Sequence, residues 1–249
     1  MTYLFDPENW RWVTAGQNTK FLLEGFLVNV EIALLAMALS LILGLTLALL
    51  RISKRAFIRV PIGMWIDVWR NLPLIFIILY LFLGLPEGLK NAYQDWAPSW
   101  LPPAYQQPAI MAAIGGLTLY NSAVIAEIMR AGIQSLERGQ GEAAAALGLP
   151  YGKAMRLIIL PQGLRRMVPA TVSQLITLTK DTSLVSIIGI QEVIRHSRIV
   201  VNTSGSVFTG SGIPAPLLQV FIFSGLMFVL FNFGLSRLSR RLELRERKL

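Results

Sequence analysis

The chain has 249 residues, of which 54% are hydrophobic and only 15% are charged, and it contains no cysteine. Its apolar residues fall in blocks much longer than the helices of a soluble core, which argues against an ordinary water-soluble domain. Without cysteine the chain can form neither a disulfide framework nor a thiolate metal site. The formal net charge of +9 suggests nucleic acid at first, but the positions of the basic residues favour membrane lipid as the surrounding partner and no nucleic acid.

Five apolar blocks are long enough to cross a bilayer as helices, which takes about 20 residues each. They cover residues 25–50, 60–85, 109–133, 167–190 and 215–236. The sequence therefore predicts an all-α polytopic membrane protein with about five transmembrane helices. The first twenty residues are polar and aromatic, so we expect no secretory signal peptide. Gly115 and Gly116, inside the third block, mark either a close helix contact or a flexible point.

Basic residues are concentrated on one side of this predicted topology. Lys and Arg number four in the loop 51–59, six over residues 130–166 and six after residue 236, against five on the opposite side. By the positive-inside rule, the richer side is cytoplasmic. We therefore expect the N-terminus outside, the C-terminus in the cytoplasm and the loop 138–166 facing the cytosol.

The loop 138–166 is a charged and alanine-rich interruption between the third and fourth blocks. A helix over 142–147 should stop at Gly148, which can adopt the left-handed conformation, and Pro150 should prevent its continuation. A second short helix is predicted over 151–160, ending before Pro161. Two short helices that meet at such a corner offer small side chains to a partner's groove. An ordinary surface loop is the alternative interpretation.

The spacing of this loop resembles the EAA loop of ABC importer permeases. The residues that carry the resemblance, and that it marks as ATPase-coupling residues, are Glu142, Ala143, Ala144, Gly148, Ile158, Leu160 and Pro161. Three further segments are similar to blocks of the polar amino acid permeases: Arg70-Asn71-Leu72-Pro73, Ala126-Glu127-Ile128-x-Arg130-x-Gly132-Ile133 and Lys180-Asp181-Thr182-Ser183-Leu184. Leu72 departs from the family pattern, in which this position is often Thr.

The resemblance implies the ABC importer permease fold in a single transmembrane domain, 1–249. It implies the permease subunit of an ATP-driven importer of polar amino acids, with glutamate or glutamine favoured. The implied partners are a dimer of ABC ATPase subunits, a second permease chain of the same or a related kind, and an extracytoplasmic amino acid-binding protein. ATP and Mg would bind to the ATPase, whereas this chain would bind no cofactor and catalyse no reaction. The resemblance also implies that the chain is located in the bacterial inner membrane.

Polar residues form a stripe along the fourth block. On a helix that advances 100° per residue, they fall within about 120° of one another; they are Ser173, Gln174, Thr177, Lys180 and Asp181. The charges of Lys180 and Asp181 match those of an amino acid zwitterion, so the stripe can line a substrate pathway. It can equally be a polar interface between two permease chains.

Other interpretations depend on individual ionisable residues. Glu127 and Arg130 lie three positions apart and can pair locally on one helix face, and Asp67 and Arg70 have the same spacing. His196 is the single histidine, and we expect it to be solvated or interfacial; a hydrolase site would have to combine it with Ser204 or Ser206. The alternatives to an ATP-driven importer are an ATP-independent secondary carrier or channel and, less favoured, a membrane enzyme.

Overall fold

The computed structural model describes residues 6–136, 138–202 and 215–246, without the side chains of residues 138, 245 and 246. Within these residues the chain forms ten α-helices and no β-strand, which confirms the predicted all-α class. The helices are α1 Asn18–Arg51, α2 Ala56–Asn71, α3 Leu74–Leu83, α4 Glu87–Trp96, α5 Ala109–Gln134, α6 Arg138–Ala146, α7 Tyr151–Ala154, α8 Leu160–Asp181, α9 Val193–Asn202 and α10 Leu217–Glu246. Two 3₁₀ helices, Pro7–Val13 and Thr182–Ile188, and a π-helical turn, Met155–Ile159, complete the regular structure of the described chain.

Three of the described helices are long and apolar enough to cross a membrane: α1, α5 and the Leu217–Leu244 part of α10. A fourth span exists if α2 and α3, a bent pair, are counted together. The predicted span 60–85 is broken into two helices: Leu72 is extended, with ψ 134°, because the ring of Pro73 disfavours a helical residue before it. The predicted span 167–190 begins in α8, which ends at Asp181. Because α8 has many polar side chains, it is not apolar enough to count as a membrane-spanning helix.

The described residues of Met1–Leu35, Leu74–Leu117 and Leu178–Phe233 form a first compact unit. Its core joins the N-terminal 3₁₀ helix, the start of α1, α9 and α10, through Trp12, Leu22, Phe26, Val193, Val200, Ala215, Val220 and Met227. Aromatic pairs within it meet edge to face, as the ring quadrupoles favour. The rings of Phe26 and Phe228, for example, have centroids 5.1 Å apart at an interplanar angle of 86°.

Gly116 brings α5 against α3 inside this first unit. A Cβ built on Gly116 would lie 3.0 Å from Cγ1 and 3.3 Å from Cα of Ile78. A side chain at this position would require Ile78 to move by a few tenths of an ångström, so glycine allows the two helices their close approach. Of the two interpretations of Gly115 and Gly116, the close helix contact is therefore correct, and Gly116 is the residue that makes it.

The described residues of Ala36–Pro73, Thr118–Thr177 and Gly234–Leu249 form a second compact unit. Here α5 and α8 approach closely at Gly132 and Gly163. A Cβ on Gly163 would lie 3.1 Å from Cα of Ile133, and one on Gly132 would clash with Cγ of Met167. Small residues let two helix backbones come this close, which is the usual basis of helix packing in membranes.

Candidate functional site

The predicted corner at Gly148 is present in the structure as a complete helix stop. The backbone of Gly148 has φ +73°, in the left-handed region that only glycine adopts freely. The amide of Leu149 donates to the carbonyl oxygen of Ala144 at 3.0 Å, and the amide of Gly148 donates to that of Ala145 at 2.9 Å. This pair of hydrogen bonds is the Schellman motif, which satisfies carbonyl groups left open at a helix end.

The helix before the corner begins earlier than the sequence predicted. α6 starts at Arg138, so Glu142 lies in its second turn and no acidic residue occupies its first turn. A carboxylate stabilises a helix N-terminus only within its first turn, so the charge of Glu142 does not support the start of α6. The glycines at 139 and 141 do not prevent helix formation here.

The helix after the corner also differs from its prediction, because it does not end at Pro161. α7 passes through the π-helical turn Met155–Ile159 directly into α8, and Pro161 is the second residue of α8. The amide of Leu160 donates to the carbonyl oxygen of Met155, five residues back. The regular i→i−4 ladder is thus already interrupted where Pro161 lacks its N–H, so the proline costs the helix little.

The residues that carry the resemblance to the EAA loop differ in exposure. Ala144 is buried, Glu142, Ala143 and Gly148 are exposed, and Ile158 and Leu160 are half-buried. The corner also exposes a large apolar side chain that the sequence analysis did not single out, Leu147, at 78%. Beside it, the ammonium of Lys54 lies 4.8 Å from the ring centroid of Tyr151, a cation–π contact that ties the loop before α2 to the start of α7.

The polar stripe lies on one uninterrupted helix, α8, and its members have different surroundings. Ser173, Thr177 and Lys180 are exposed, whereas Gln174 and Asp181 are half-buried. The side-chain amide of Gln174 donates to Oδ1 of Asn121 on α5 at 2.7 Å. The hydroxyls of Ser173 and Ser239 lie 3.5 Å apart, and Ser239 donates to the carbonyl oxygen of Pro169. Part of the stripe therefore packs helices, and part is open.

The local pair predicted between Glu127 and Arg130 is confirmed, with Nη2 of Arg130 2.7 Å from Oε2 of Glu127. Arg130 also donates to Oε1 of Gln134. The equally spaced Asp67 and Arg70 form no ion pair among the described residues. No group of three His, Asp or Glu side chains in the described chain is arranged to hold a metal ion.

The structure buries His196, contrary to the expectation of a solvated or interfacial side chain. It is 6% exposed, and its Nδ1 donates to the carbonyl oxygen of Phe21 at 2.6 Å. Burial lowers the pKa of His196, and the hydrogen bond to Phe21 offsets part of this shift. Ser204 and Ser206, the predicted partners in a hydrolase site, lie outside the described residues.

A buried polar cluster near His196 escaped the sequence analysis. Oε1 of Glu192 accepts from the amide of Arg195 at 2.9 Å, and Oε2 accepts from the side chain of Asn29 at 3.0 Å. Asn29 also donates to Thr182 and accepts from the amide of Val193. Glu192 and Asn29 together satisfy open amides at the start of α9. Burial raises the pKa of Glu192, although these hydrogen bonds oppose the shift.

The signal for this cluster was present in the sequence but weak. Asn29 interrupts the first apolar block, and Glu192 directly precedes a helix in which apolar residues alternate with Arg195 and Arg198. Each feature alone is common on a protein surface. Only the packing of α1 against α9 joins residues that are more than 160 positions apart.

A family model described as a binding-protein-dependent transport system inner membrane component matches residues 40–248. The match covers most of the chain, and the chain belongs to this family. It is the permease subunit of an ABC importer, a transport component of the membrane rather than an enzyme. The described chain joins apolar helices that can cross a membrane to an exposed corner at Gly148.

Individual relatives agree with this assignment over nearly their whole length. The probable glutamine ABC transporter permease protein GlnP of Bacillus subtilis (strain 168) is 37% identical over 233 residues, covering 92% of this chain and 95% of that protein. The glutamate/aspartate import permease protein GltK of Escherichia coli O157:H7 is 29% identical over 227 residues, covering 91% and 94%. Among solved structures, a chain of an amino acid ABC transporter crystallised with histidines has a TM-score of 0.71 at 28% identity, covering 93% of this chain and 95% of that one.

Proposed function

We propose that the chain imports polar amino acids of the glutamine and glutamate type. The observation that carries this proposal is its similarity to relatives that are named for glutamine and for glutamate and aspartate and that it matches over more than nine tenths of their lengths. Residues 1–249 act as one permease domain, because α1, α5, α8 and α10 each contribute residues to both compact units.

The segment 138–166 docks onto the ATPase. This docking role is supported by the helix stop at Gly148, which places the exposed Leu147 at the corner between two short helices. Tyr151 and Leu157 add exposed apolar surface in the same segment, at 52% and 63%. Several exposed apolar side chains on one charged loop are typical of a protein-binding surface, because a partner's groove removes them from water. ATP and Mg bind to that ATPase.

The orientation in the membrane and the exposed surface of α1 support the rest of the proposed assembly. The distribution of Lys and Arg supports an N-terminus outside and a C-terminus in the cytoplasm of a bacterium's inner membrane. α1 exposes a row of large apolar side chains, Leu34, Leu35, Leu39 and Ile42, which suits lipid or a second permease chain.

In the proposed transport cycle, an extracytoplasmic binding protein delivers the amino acid. Closure of the ATPase dimer then moves the coupling corner and alternates the opening of the pathway.

The polar stripe of α8 contributes to that pathway through its exposed members. Ser173, Thr177 and Lys180 are available to a substrate, whereas Gln174 is already held by Asn121. The stripe therefore divides by role: Gln174 packs α8 against α5, and the exposed residues with Asp181 contact the amino acid. An interface between two permease chains remains the competing role, and substitution of Asp181 separates the two.

Reconstitution tests the proposed function. The chain is purified with its ATPase and binding protein, placed in proteoliposomes, and supplied with labelled glutamine or glutamate. We expect uptake that requires ATP and is abolished when the ATPase carries an inactive nucleotide site. Uptake driven by an ion gradient without ATP would identify a secondary carrier. Absence of uptake for all polar amino acids in an assembled, ATP-hydrolysing complex contradicts the proposed substrate class.

A further inference from the structure

The short helix α9 has a buried face and a basic face. Val193, His196, Ser197 and Val200 are buried, whereas Arg195 and Arg198, three positions apart, are both exposed. The start of α9 is held by the hydrogen bonds of Glu192 and Asn29, so the direction of the helix is well determined. The two arginines are consequently carried on the exposed side of one helix whose start is held in place.

Both arginines line a cavity of about 350 Å³ within the first compact unit. The other walls come from α3, from the 3₁₀ helix Thr182–Ile188 and from the turn that follows it, with the lining residues Ile75, Ser183, Leu184, Ser186, Ile187 and Gly189. Gly189 has φ +86° and turns the chain between the 3₁₀ helix and α9. The volume lies in the usual range of small-molecule sites, about 300–1,000 Å³.

Neither arginine is within ion-pair distance of a carboxylate among the described residues, although the charge of Arg198 acts on Glu192. The one carboxylate next to them in sequence, Glu192, is buried, and both its oxygens accept from other groups, the amide of Arg195 and the side chain of Asn29. Arg195 and Arg198 form no ion pair in the described chain. Two guanidinium groups at one cavity wall, neither of them in an ion pair, are suited to bind a carboxylate or a phosphate.

The serines of the cavity complement these donors with acceptors. The hydroxyl of Ser183 donates to the carbonyl oxygen of Lys180 at 2.8 Å. The hydroxyl of Ser186 donates to the backbone carbonyl oxygen of Ser183 at 2.9 Å. Their hydrogens are therefore used, and what they can offer a ligand is oxygen lone pairs, which suit an ammonium group. A ligand that carries an acid group beside an ammonium group matches the whole lining better than a simple anion.

We propose that this cavity is a transient binding site for the head group of the free amino acid substrate. Arg195 and Arg198 hold its carboxylate, and the oxygens of Ser183 and Ser186 accept from its ammonium group. Ile75, Leu184 and Ile187 contact the carbon chain. This inference rests on the proposed import of amino acids. A phosphatidylethanolamine head group shares the same pair of charges, and the experiment below separates the two sources.

The test uses the permease–ATPase complex in phosphatidylcholine nanodiscs and compares L-glutamine and L-glutamate with their α-methyl esters, which lack the α-carboxylate charge. We expect the wild type to bind each free acid at least about tenfold more tightly than its ester. The double variant Arg195→Gln/Arg198→Gln should lose most of this preference. The matched control Arg11→Gln/Lys20→Gln removes two exposed charges that already pair with Glu8 and Glu24, and it should keep the preference.

Several outcomes overturn the proposal. One is a wild-type complex that binds neither free acid without the binding protein, and another is a double variant that keeps the full preference for the free acid. A double variant that retains less phosphatidylethanolamine in mixed nanodiscs but keeps that preference assigns the cavity to lipid. A double variant that loses only the stimulation of ATP hydrolysis by the loaded binding protein assigns the arginines to protein docking.

Failure of this inference is distinguishable from failure of the proposed function. ATP-dependent uptake into proteoliposomes is measured on the same preparations. If the wild type imports no polar amino acid, the proposed function is wrong. If the wild type imports glutamine or glutamate while the double variant keeps the preference for the free acid, only the assignment of the cavity is wrong.

Discussion

The imidazole ring of His196 stacks on the phenyl ring of Phe21, with centroids 3.8 Å apart and planes within 2° of parallel. The same imidazole donates to the backbone carbonyl of Phe21. The single histidine of the chain therefore fastens α9 to the beginning of α1. Since a positive charge on His196 is disfavoured by burial, this contact makes the stability of the first compact unit dependent on pH.

We predict that acidification weakens the wild-type protein through His196. Its folded-state pKa is lowered below the ordinary value, so the unfolded state takes up the proton first as pH falls. The stabilising contribution is complete above about pH 6.5 and is lost as pH falls toward the folded pKa. Thermal unfolding at about pH 7.5 and about pH 5.5 measures this loss.

The variant His196→Gln isolates the histidine from the other ionisable groups near it. Glu24 attracts the protonated ring, and Glu192, whose pKa is raised by burial, stabilises the folded state on acidification and so acts in the opposite direction. Both carboxyl groups are still present in the variant. We expect the drop in unfolding temperature on acidification to be smaller in the variant, and an equal drop in both proteins would contradict the prediction.

Gly25 is predicted to be irreplaceable beside His196. A Cβ at this position would lie 2.7 Å from Nδ1 of His196 and 3.0 Å from the backbone carbon of Glu192. Gly25→Ala should lower the free energy of unfolding by about 1–3 kcal/mol, as overpacking typically does. Gly225→Ala is the matched control, because that helical glycine has no atom within 4 Å of the added methyl. The thermal midpoint should fall in the first variant and stay or rise in the second.

Gly148→Val is predicted to uncouple ATP hydrolysis from transport. A β-branched residue at φ +73° costs about 1–2 kcal/mol and distorts the end of α6, while the spans are untouched. The measurement is the ratio of amino acid imported to ATP hydrolysed in proteoliposomes, together with retention of the ATPase on purification. Gly88→Val, at an unobstructed glycine of α4 without positive φ and outside this segment, is the control. Normal coupling in Gly148→Val refutes the docking role of this corner.

Asp181→Asn separates the two roles of the polar stripe, since it keeps the side-chain shape and removes the charge. If the stripe lines the pathway, uptake should fall about tenfold or more, the loss expected for one charge-assisted hydrogen bond, while the complex stays assembled. Dissociation of the complex would point to an interface between permease chains. Asp95→Asn, at an exposed residue of α4, provides the control. Unchanged uptake in Asp181→Asn over the substrate range counts against a pathway role.

Features governed by neighbouring residues were predictable from the sequence. The helix stop at Gly148 and Pro150 depends on backbone conformations that single residues impose, and it was predicted correctly. The pair Glu127 and Arg130 lies on one helix face and forms wherever that helix forms. The all-α membrane class follows from the length of the apolar blocks, because a bilayer leaves a chain few other ways to satisfy its backbone.

Other local predictions failed where a second local effect competed. Pro161 was expected to end a helix, but the preceding π-helical turn removes the hydrogen bond that proline would break. Leu72 and Pro73 interrupt an apolar block whose composition alone predicted a continuous span. The hydropathy of a window averages over such a break and so conceals it.

The sequence by itself determined the family, the number and sign of the charges, and the positions of the helix-stopping residues. Tertiary structure decided which polar groups are satisfied. Asn29 meets Glu192, and Gln174 meets Asn121, across distances in the chain that no periodicity encodes. It also decided that His196 is buried and that Arg195 and Arg198 line a cavity. The physical reason is that burial depends on which distant helix covers a side chain, and that is settled only when the helices pack.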